Sequence, residues 1–353
     1  MNRIRYNIAP QMKVYDEIGI TWTPYLMFFH TPNYVSNVVN TDSRGFRVTY
    51  KNSTAISEFK NLDAQPICLF AGGSTAFGVG ATNDRKTIPS LLNSNTDYLW
   101  LNFGGRAFSS TQEILLFLLY HYRINNIKKI VILSGMNNIL LHYLSQDCPK
   151  ELGAFFFWSQ YKQAMNKKPM SIKRKMLELL LRPVYRNKID YSNISKKELM
   201  EYIIGNKKQS SLPEDSSDAK KDELLYALER DIYLWKLFAD TKGIELYYIL
   251  QPLANWVDKK LSKEEEGLFA ALDNYPRNHW KVLKNKFDQN QYHWFLNHLD
   301  KICKSHNVFF FDMNKAISNR QLDGEWLFVD RAHLTDHGNQ IVSDIIKKEV
   351  IKQ

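Results

Sequence analysis

Three residue types able to carry out nucleophilic catalysis stand at opposite ends of this chain. The first long apolar run, PICLFAGGSTAFG, places Ser74 just past a strand end, and FVDRAHLTDHGNQ near the C-terminus holds Asp330 and His333. A hydroxyl can attack, an imidazole can take its proton, and a carboxylate can orient the imidazole. In the chain order Ser, Asp, His, this is the inventory of a serine hydrolase or acyltransferase. Gly72 and Gly73 allow the tight turn that exposes a nucleophile at the C-terminal edge of a sheet. Taken alone, a Gly-Gly-Ser turn is often just a turn. It is not a Walker A loop, since no GK[ST] follows, and not a G-x-S-x-G elbow, since Ala76 fills the last position. On a loop, the Asp330–His333 spacing lets the carboxylate bond one ring nitrogen while the other faces Ser74. The bland alternative is an Asp before the last helix and a surface histidine. His337 reads as a solvent-facing helix residue.

Acyl chemistry also needs donors for a tetrahedral oxyanion. LNFGGRAFSS (from Leu101) offers a glycine-rich turn with backbone N–H groups, and ILSGMNNI (from Ile132) offers the Asn137 and Asn138 amides directly after a strand. Singly, each is ordinary turn chemistry. Together, the four segments resemble the SGNH hydrolases, or GDSL-like esterases. The family's G-D-S corresponds to Gly72-Gly73-Ser74, with Gly73 in place of Asp. Its second block sets a Gly five residues after an Asn; counted from Asn102, that position is Ala107. A backbone donor tolerates the Ala, with Gly104 and Gly105 as alternative contacts. Its G-x-N-D corresponds to Gly135-Met136-Asn137-Asn138, and its D-x-x-H to Asp330 and His333.

The resemblance runs from about Pro66 to Ile346, less the insertions. It implies an α/β fold, a flavodoxin-like three-layer α/β/α sandwich with a central, mainly parallel sheet, plus helical insertions. It also implies ester or acyl chemistry, without a substrate. On that reading His333 deprotonates Ser74, Asp330 orients His333, and Ser74 N–H, Ala107 N–H and the Asn137 amide hold the oxyanion.

The residues themselves suggest no metal site and no cofactor. His293 and His298 are five apart, off one helix face, and there is no HExxH. Gly78 and Gly80 give only GxG, too little for dinucleotide binding.

Elements able to position these groups alternate along the chain. PICLFAGG, YLWLNFGG, KKIVILSG and GIELYYILQP read as buried parallel strands, and NVFFFDM as a fifth. TQEILLFLLYHYRIN and DELLYALERDIYLWKLFADTKG have helical periodicity, the second stopping at Gly243. The last helix takes Thr335 as its N-cap and ends in Lys-rich turns. Such alternation argues for an α/β fold. Residues 1–63 read as an aromatic-rich extension packed on a catalytic domain of residues 64–353. Asp42-Ser43 and Gly45 mark a tight turn in that extension. Two insertions are expected, at about 143–222 and 255–289. The first opens with the aromatic FFFW, a wall for an acyl or sugar pocket or else the insertion's own small core.

The chain's 353 residues are 44% hydrophobic and 24% charged, which excludes global disorder. Its net charge is +10, yet residues 160–210 hold thirteen Lys or Arg and four Asp or Glu. The basic balance therefore belongs to one segment. MSIKRKMLELLLRPVYRNK (from Met170) reads there as a cationic amphipathic helix. It suits an anionic membrane surface, an acyl carrier protein or phosphorylated acyl donor, or anionic glycans; the plain alternative is a solvated face. Nucleic acid is disfavoured, because no binding module accompanies the charge. Cys68, Cys148 and Cys303 form no CxxC, and no secretory signal is visible. A cytoplasmic protein, free or peripheral to a membrane, is expected. The leading reading is an ester hydrolase acting on an O-acyl glycan or small metabolite. The alternatives are an O-acyltransferase with the same residues and a non-catalytic carbohydrate- or lipid-binding protein on this fold.

Overall fold

The computed structural model describes residues 2–57, 59, 62, 65–144, 155–158, 160–161, 218–274 and 279–352. Most of the 143–222 insertion, including Cys148 and nearly all of the basic 160–210 stretch, lies outside the described residues.

The five apolar runs form one parallel sheet. They are β5 (Ile67–Gly72), β6 (Leu99–Gly104), β7 (Ile127–Ser134), β8 (Glu245–Leu250) and β9 (Phe309–Asp312), in spatial order β6-β5-β7-β8-β9. This is the flavodoxin-like order, in which the chain steps from β5 to one side and then returns to the other. The crevice at that reversal, between the C-terminal ends of β5 and β7, is where such folds hold ligands.

Side chains along a strand alternate between faces, and both faces here are covered. Leu69 and Ala71 of β5 enter one core with Phe117 and Trp235, from helices Ser110–Tyr120 and Asp218–Lys242. Cys68 and Phe70 enter the other, with Ile88 and Leu92 of helix Ile88–Asn95 and Val342 of helix Asp336–Ile345. The result is the three-layer α/β/α sandwich the sequence implied. Thr335 caps the last helix, its hydroxyl accepting Gly338 N–H at 3.0 Å. No helix among the described residues is long and apolar enough to cross a membrane.

The N-terminal residues form two small antiparallel hairpins, β1 (Ile20–Thr23) with β2 (Met27–His30) and β3 (Thr49–Lys51) with β4 (Thr54–Ile56). The turn at residues 42–46 closes as its composition demands. Asp42 Oδ1 accepts the N–H groups of Arg44 and Phe46, both at 2.9 Å. Phe28, Phe29 and Phe46 are buried in the first core and Met12 and Tyr15 in the second. The described rings of the FFFW segment pack on one another, Phe155 against Trp158 at 5.3 Å and Tyr161 at 5.7 Å, and also reach outside it. Phe155 joins the first core, and the Phe157 ring lies edge-on against Phe28 at 5.2 Å. Apolar rings in a short segment bury against the nearest existing aromatic face, here that of the β1–β2 hairpin.

One buried carboxyl stands out in the first layer. Glu113 accepts the Ser134 hydroxyl at 2.7 Å on one oxygen, and its other oxygen has no partner among the described residues. Burial pushes it up to about 8, against an ordinary 4.5. Folded protein therefore keeps this proton where unfolded chain has lost it. The contribution is fully present below pH 4.5 and is lost as pH rises through about 8. Glu113→Gln should flatten that loss. We expect denaturant unfolding at pH 5, 6.5 and 8 to show the variant gaining roughly 2–4 kcal/mol on wild type across the series. Parallel curves would contradict it.

Candidate active site

Ser74 is delivered by the turn after β5. Gly72 has φ +140°, and a Cβ there would sit 2.1 Å from Leu133 O on β7. Only glycine lets the two strands run this close. Ser74 opens the one-turn helix Ser74–Phe77, whose first N–H groups lack intrahelical acceptors. Asn102 Nδ2 on β6 donates to Phe77 O at 3.1 Å and holds the far end of that turn.

Asp330 and His333 are set by a tight loop. Val329 N–H donates to His333 O at 2.9 Å, and Asp330 Oδ1 accepts the N–H groups of Ala332 (2.9 Å) and His333 (2.8 Å). Asp330 is fully buried. His333 Nδ1 lies 2.9 and 2.8 Å from its two oxygens, and His333 Nε2 lies 2.7 Å from Ser74 Oγ. The carboxylate requires the proton on Nδ1, leaving the Nε2 lone pair for the serine hydroxyl. Burial pushes the Asp330 carboxyl up, but the His333 charge and hydrogen bond outweigh it, so it sits below the ordinary range. Asp330 is thus ionised at neutral pH, as a group stabilising an imidazolium must be.

Two sets of bonds hold this loop, one to the Ser74 turn and one to the 255–273 segment. Thr75 Oγ1 donates to Ala332 O at 3.1 Å and accepts Gln251 Nε2 at 3.2 Å. Arg331 bonds both oxygens of Asp273 (3.2 and 2.8 Å) and Asn255 Oδ1 (2.7 Å). The segment read as a smaller insertion thereby supplies residues that brace the loop.

Along residues 104–110, hydrogen bonding sorts the candidate donors. Gly104 N–H goes to Asn102 Oδ1 (2.9 Å), Gly105 N–H to Gly72 O (2.9 Å) and Arg106 N–H to His30 Nε2 (3.0 Å). Phe108, Ser109 and Ser110 N–H go to Gly105 O (3.2 Å), Gln112 Oε1 (3.1 Å) and Asn138 Oδ1 (3.0 Å). Among the described residues Ala107 N–H, alone in this stretch, has no acceptor, and Ala107 sits at φ +61°. A left-handed backbone is where glycine is usual, which accounts for the Gly of the resembled pattern. Gly104 and Gly105 are therefore corrected as donors: their amides are engaged elsewhere. They are glycine for space, since a Cβ at Gly104 would lie 2.2 Å from Phe77 N.

The Asn137 amide gives one N–H to Phe108 O at 2.7 Å. It lies against Gly73, whose Cβ, if present, would be 2.8 Å from Asn137 Nδ2. Gly73 in place of Asp thus makes room for this amide. Gly73→Ala should push Asn137 aside and lower kcat on an activated ester by about 10²-fold, the cost of one oxyanion donor, with little change in KM. An unchanged kcat would show that Asn137 is not such a donor. Asn138 does not reach the site. Its Nδ2 donates to Ser110 Oγ at 2.7 Å, and that hydroxyl donates to buried Asp231 at 2.6 Å, joining three helices.

Sequence reasoning missed Thr75, Arg106, His30, Asp231 and Glu113. Only the position of Thr75, beside the nucleophile, was a signal. His337 pairs with Glu325 at 2.5 Å on the exposed surface. His293 and His298 lie on helix Gln289–Ser305, with His298 Nδ1 on Trp294 O at 2.7 Å. No cluster of three metal-ligating side chains occurs among the described residues.

No family model matches this sequence, and no curated protein matches it. Solved structures similar to it include lipolytic acylhydrolases and acetyl xylan esterases. One acetyl xylan esterase is 13% identical, with 81% of this chain and 99% of that one covered and a TM-score of 0.39. A lipase/acylhydrolase from Enterococcus faecalis is 12% identical, with 80% and 94% covered and a TM-score of 0.38. A lipolytic protein of the G-D-S-L family from Veillonella parvula is 11% identical, with 81% and 98% covered and a TM-score of 0.39. At such low TM-scores these likenesses assign no role to any residue here.

Proposed function

We propose that this chain is an SGNH-type serine esterase that hydrolyses a carboxylic ester through an acyl-Ser74 intermediate. The observation that carries this reading is the unbroken hydrogen-bond chain from buried Asp330 through His333 to Ser74 Oγ. As Ser74 Oγ attacks the ester carbonyl, His333 Nε2 takes its proton, and Asp330 stabilises the imidazolium. The carbonyl oxygen becomes an oxyanion held by Ser74 N–H, Ala107 N–H and the remaining Asn137 N–H. The tetrahedral centre collapses, the C–O bond to the alcohol breaks, and His333 returns the proton to the leaving oxygen. Water then gives its proton to the same nitrogen and attacks the acyl carbon; the bond from that carbon to Ser74 Oγ breaks, His333 returns the proton to Oγ, and the acid leaves. Donors fixed before the reaction need no reorganisation as charge develops, which is the main source of rate in such sites.

The test is turnover of p-nitrophenyl acetate, butyrate and octanoate, with a fluorophosphonate label located by mass spectrometry. The expected result is turnover, with the label on Ser74. No turnover and no label would move the chain to a binding role.

A further inference from the structure

The loop that offers Ala107 N–H is not held by the catalytic layers alone. Among the described residues its Arg106–Ala107 peptide has no acceptor for its N–H, so its orientation is inherited from the peptides on either side. The following side is closed by Phe108 N–H on Gly105 O. The preceding side is closed from the N-terminal residues. Arg106 N–H donates to His30 Nε2 at 3.0 Å, and His30 Nδ1 donates to Gly45 O at 2.9 Å. Those two bonds require a neutral ring with its proton on Nδ1. Burial, with the Arg106 charge beside it, holds His30 well below the ordinary histidine range and keeps it so. His30 is 2% exposed, and its ring packs at a tilt of 39° against Phe77, of the Ser74 turn, at a centroid distance of 4.1 Å. The Arg106 guanidinium adds a second tie. It donates to Tyr15 O (3.0 Å), Ile18 O (2.9 Å) and Gly19 O (2.9 Å).

We propose that His30 is a positioning residue for the oxyanion donors: by accepting Arg106 N–H while packed on Phe77, it fixes Ala107 N–H relative to Ser74. This rests on the esterase reading above. The N-terminal hairpin then belongs to the working site although it touches no substrate. An amide displaced by a fraction of an ångström binds the ground-state carbonyl nearly as well but the transition state far less.

Two variants separate the roles of the ring nitrogens. His30→Gln places an acceptor near the Nε2 position and can keep the Arg106 bond. His30→Asn places its amide near the Nδ1 position, keeps Gly45 O and cannot reach Arg106. On p-nitrophenyl acetate, His30→Asn should lose about 10–100-fold in kcat with KM unchanged, and label with fluorophosphonate proportionally slower. His30→Gln should stay within about threefold of wild type, a difference worth less than 1 kcal/mol. Should His30→Asn give no folded protein, His30→Leu, which fills the place beside Phe77 but offers no acceptor to Arg106 N–H, carries the same expected loss. Equal kcat in the Asn and Gln variants, or a change in KM alone, would overturn the role of His30. Wild-type turnover and the label on Ser74 report separately on the esterase reading, so either failure can be told from the other.

Discussion

Ser74→Ala should lower kcat on an activated ester by about 10⁴–10⁶-fold while leaving the unfolding curve where it was. The magnitude follows from what remains. Without Oγ no acyl-enzyme forms, and His333 and the oxyanion donors have only water to work with, a residual activity that still exceeds solvent. The stability expectation follows from the surroundings. Among the described residues Ser74 Oγ bonds only His333, which is itself held by Asp330 at 2.8 Å. Losing this hydroxyl leaves Asp330 paired and the turn at Gly72 unchanged. His333→Ala should be almost as severe, and the double variant no worse than Ser74→Ala, because the residues act as a unit. Steady-state kinetics with melting curves checks this. A Ser74→Ala enzyme retaining a tenth of wild-type kcat would remove Ser74 as nucleophile.

The largest expected effect on stability lies behind the nucleophile turn. Arg47 Nε pairs with Asp84 at 2.8 Å, the two side chains being 0% and 3% exposed. Its other nitrogens donate to the Tyr15 hydroxyl (3.0 Å), Phe77 O (3.2 Å), Gly78 O (2.8 Å) and Val38 O (2.9 Å). Arg47→Met fills similar volume but leaves buried Asp84 without a counter-ion, held among the described residues only by Asn40 (2.6 and 3.3 Å), and takes a donor from Val38 O. Breaking a buried pair from one side costs roughly 3–5 kcal/mol, a large part of a typical total of about 5–15 kcal/mol. Guanidinium unfolding should show that loss, and Arg47→Met combined with Asp84→Leu should recover part of it. Arg85, stacked on Tyr50 at the surface, is the control and should cost under about 1 kcal/mol. A loss below about 1 kcal/mol for Arg47→Met would mean that water reaches Asp84.

Much of this was legible in the sequence, for physical reasons. A parallel sheet covered on both faces needs near-continuous apolar runs, and all five strands have them. The Asp330–His333 unit is a local loop, so its spacing carries its geometry. The proposed oxyanion donors are different. Gly104 and Gly105 look like free turn amides, yet both glycines serve close packing, and Ala107 emerges only when each neighbouring N–H has been assigned an acceptor. His30 could not be read at all. It meets Arg106 across 76 positions, through a backbone amide that no residue type announces. Glu113 reads as one more polar residue on an amphipathic helix until the layers on both sides are in place. FFFW could be recognised as apolar but not assigned its partner, because Phe28 lies far away in sequence.

The central claim is that an acyl group resides on Ser74, and the most direct measurement is to catch it there. Wild-type enzyme mixed with excess p-nitrophenyl butyrate, acid-quenched within milliseconds and read by intact-mass and peptide mass spectrometry should gain one butyryl group, on the peptide containing Ser74. The same quench of Ser74→Ala should show none. Turnover by the wild type with no adduct at any quench time, or with the acyl group on another residue, would contradict the account.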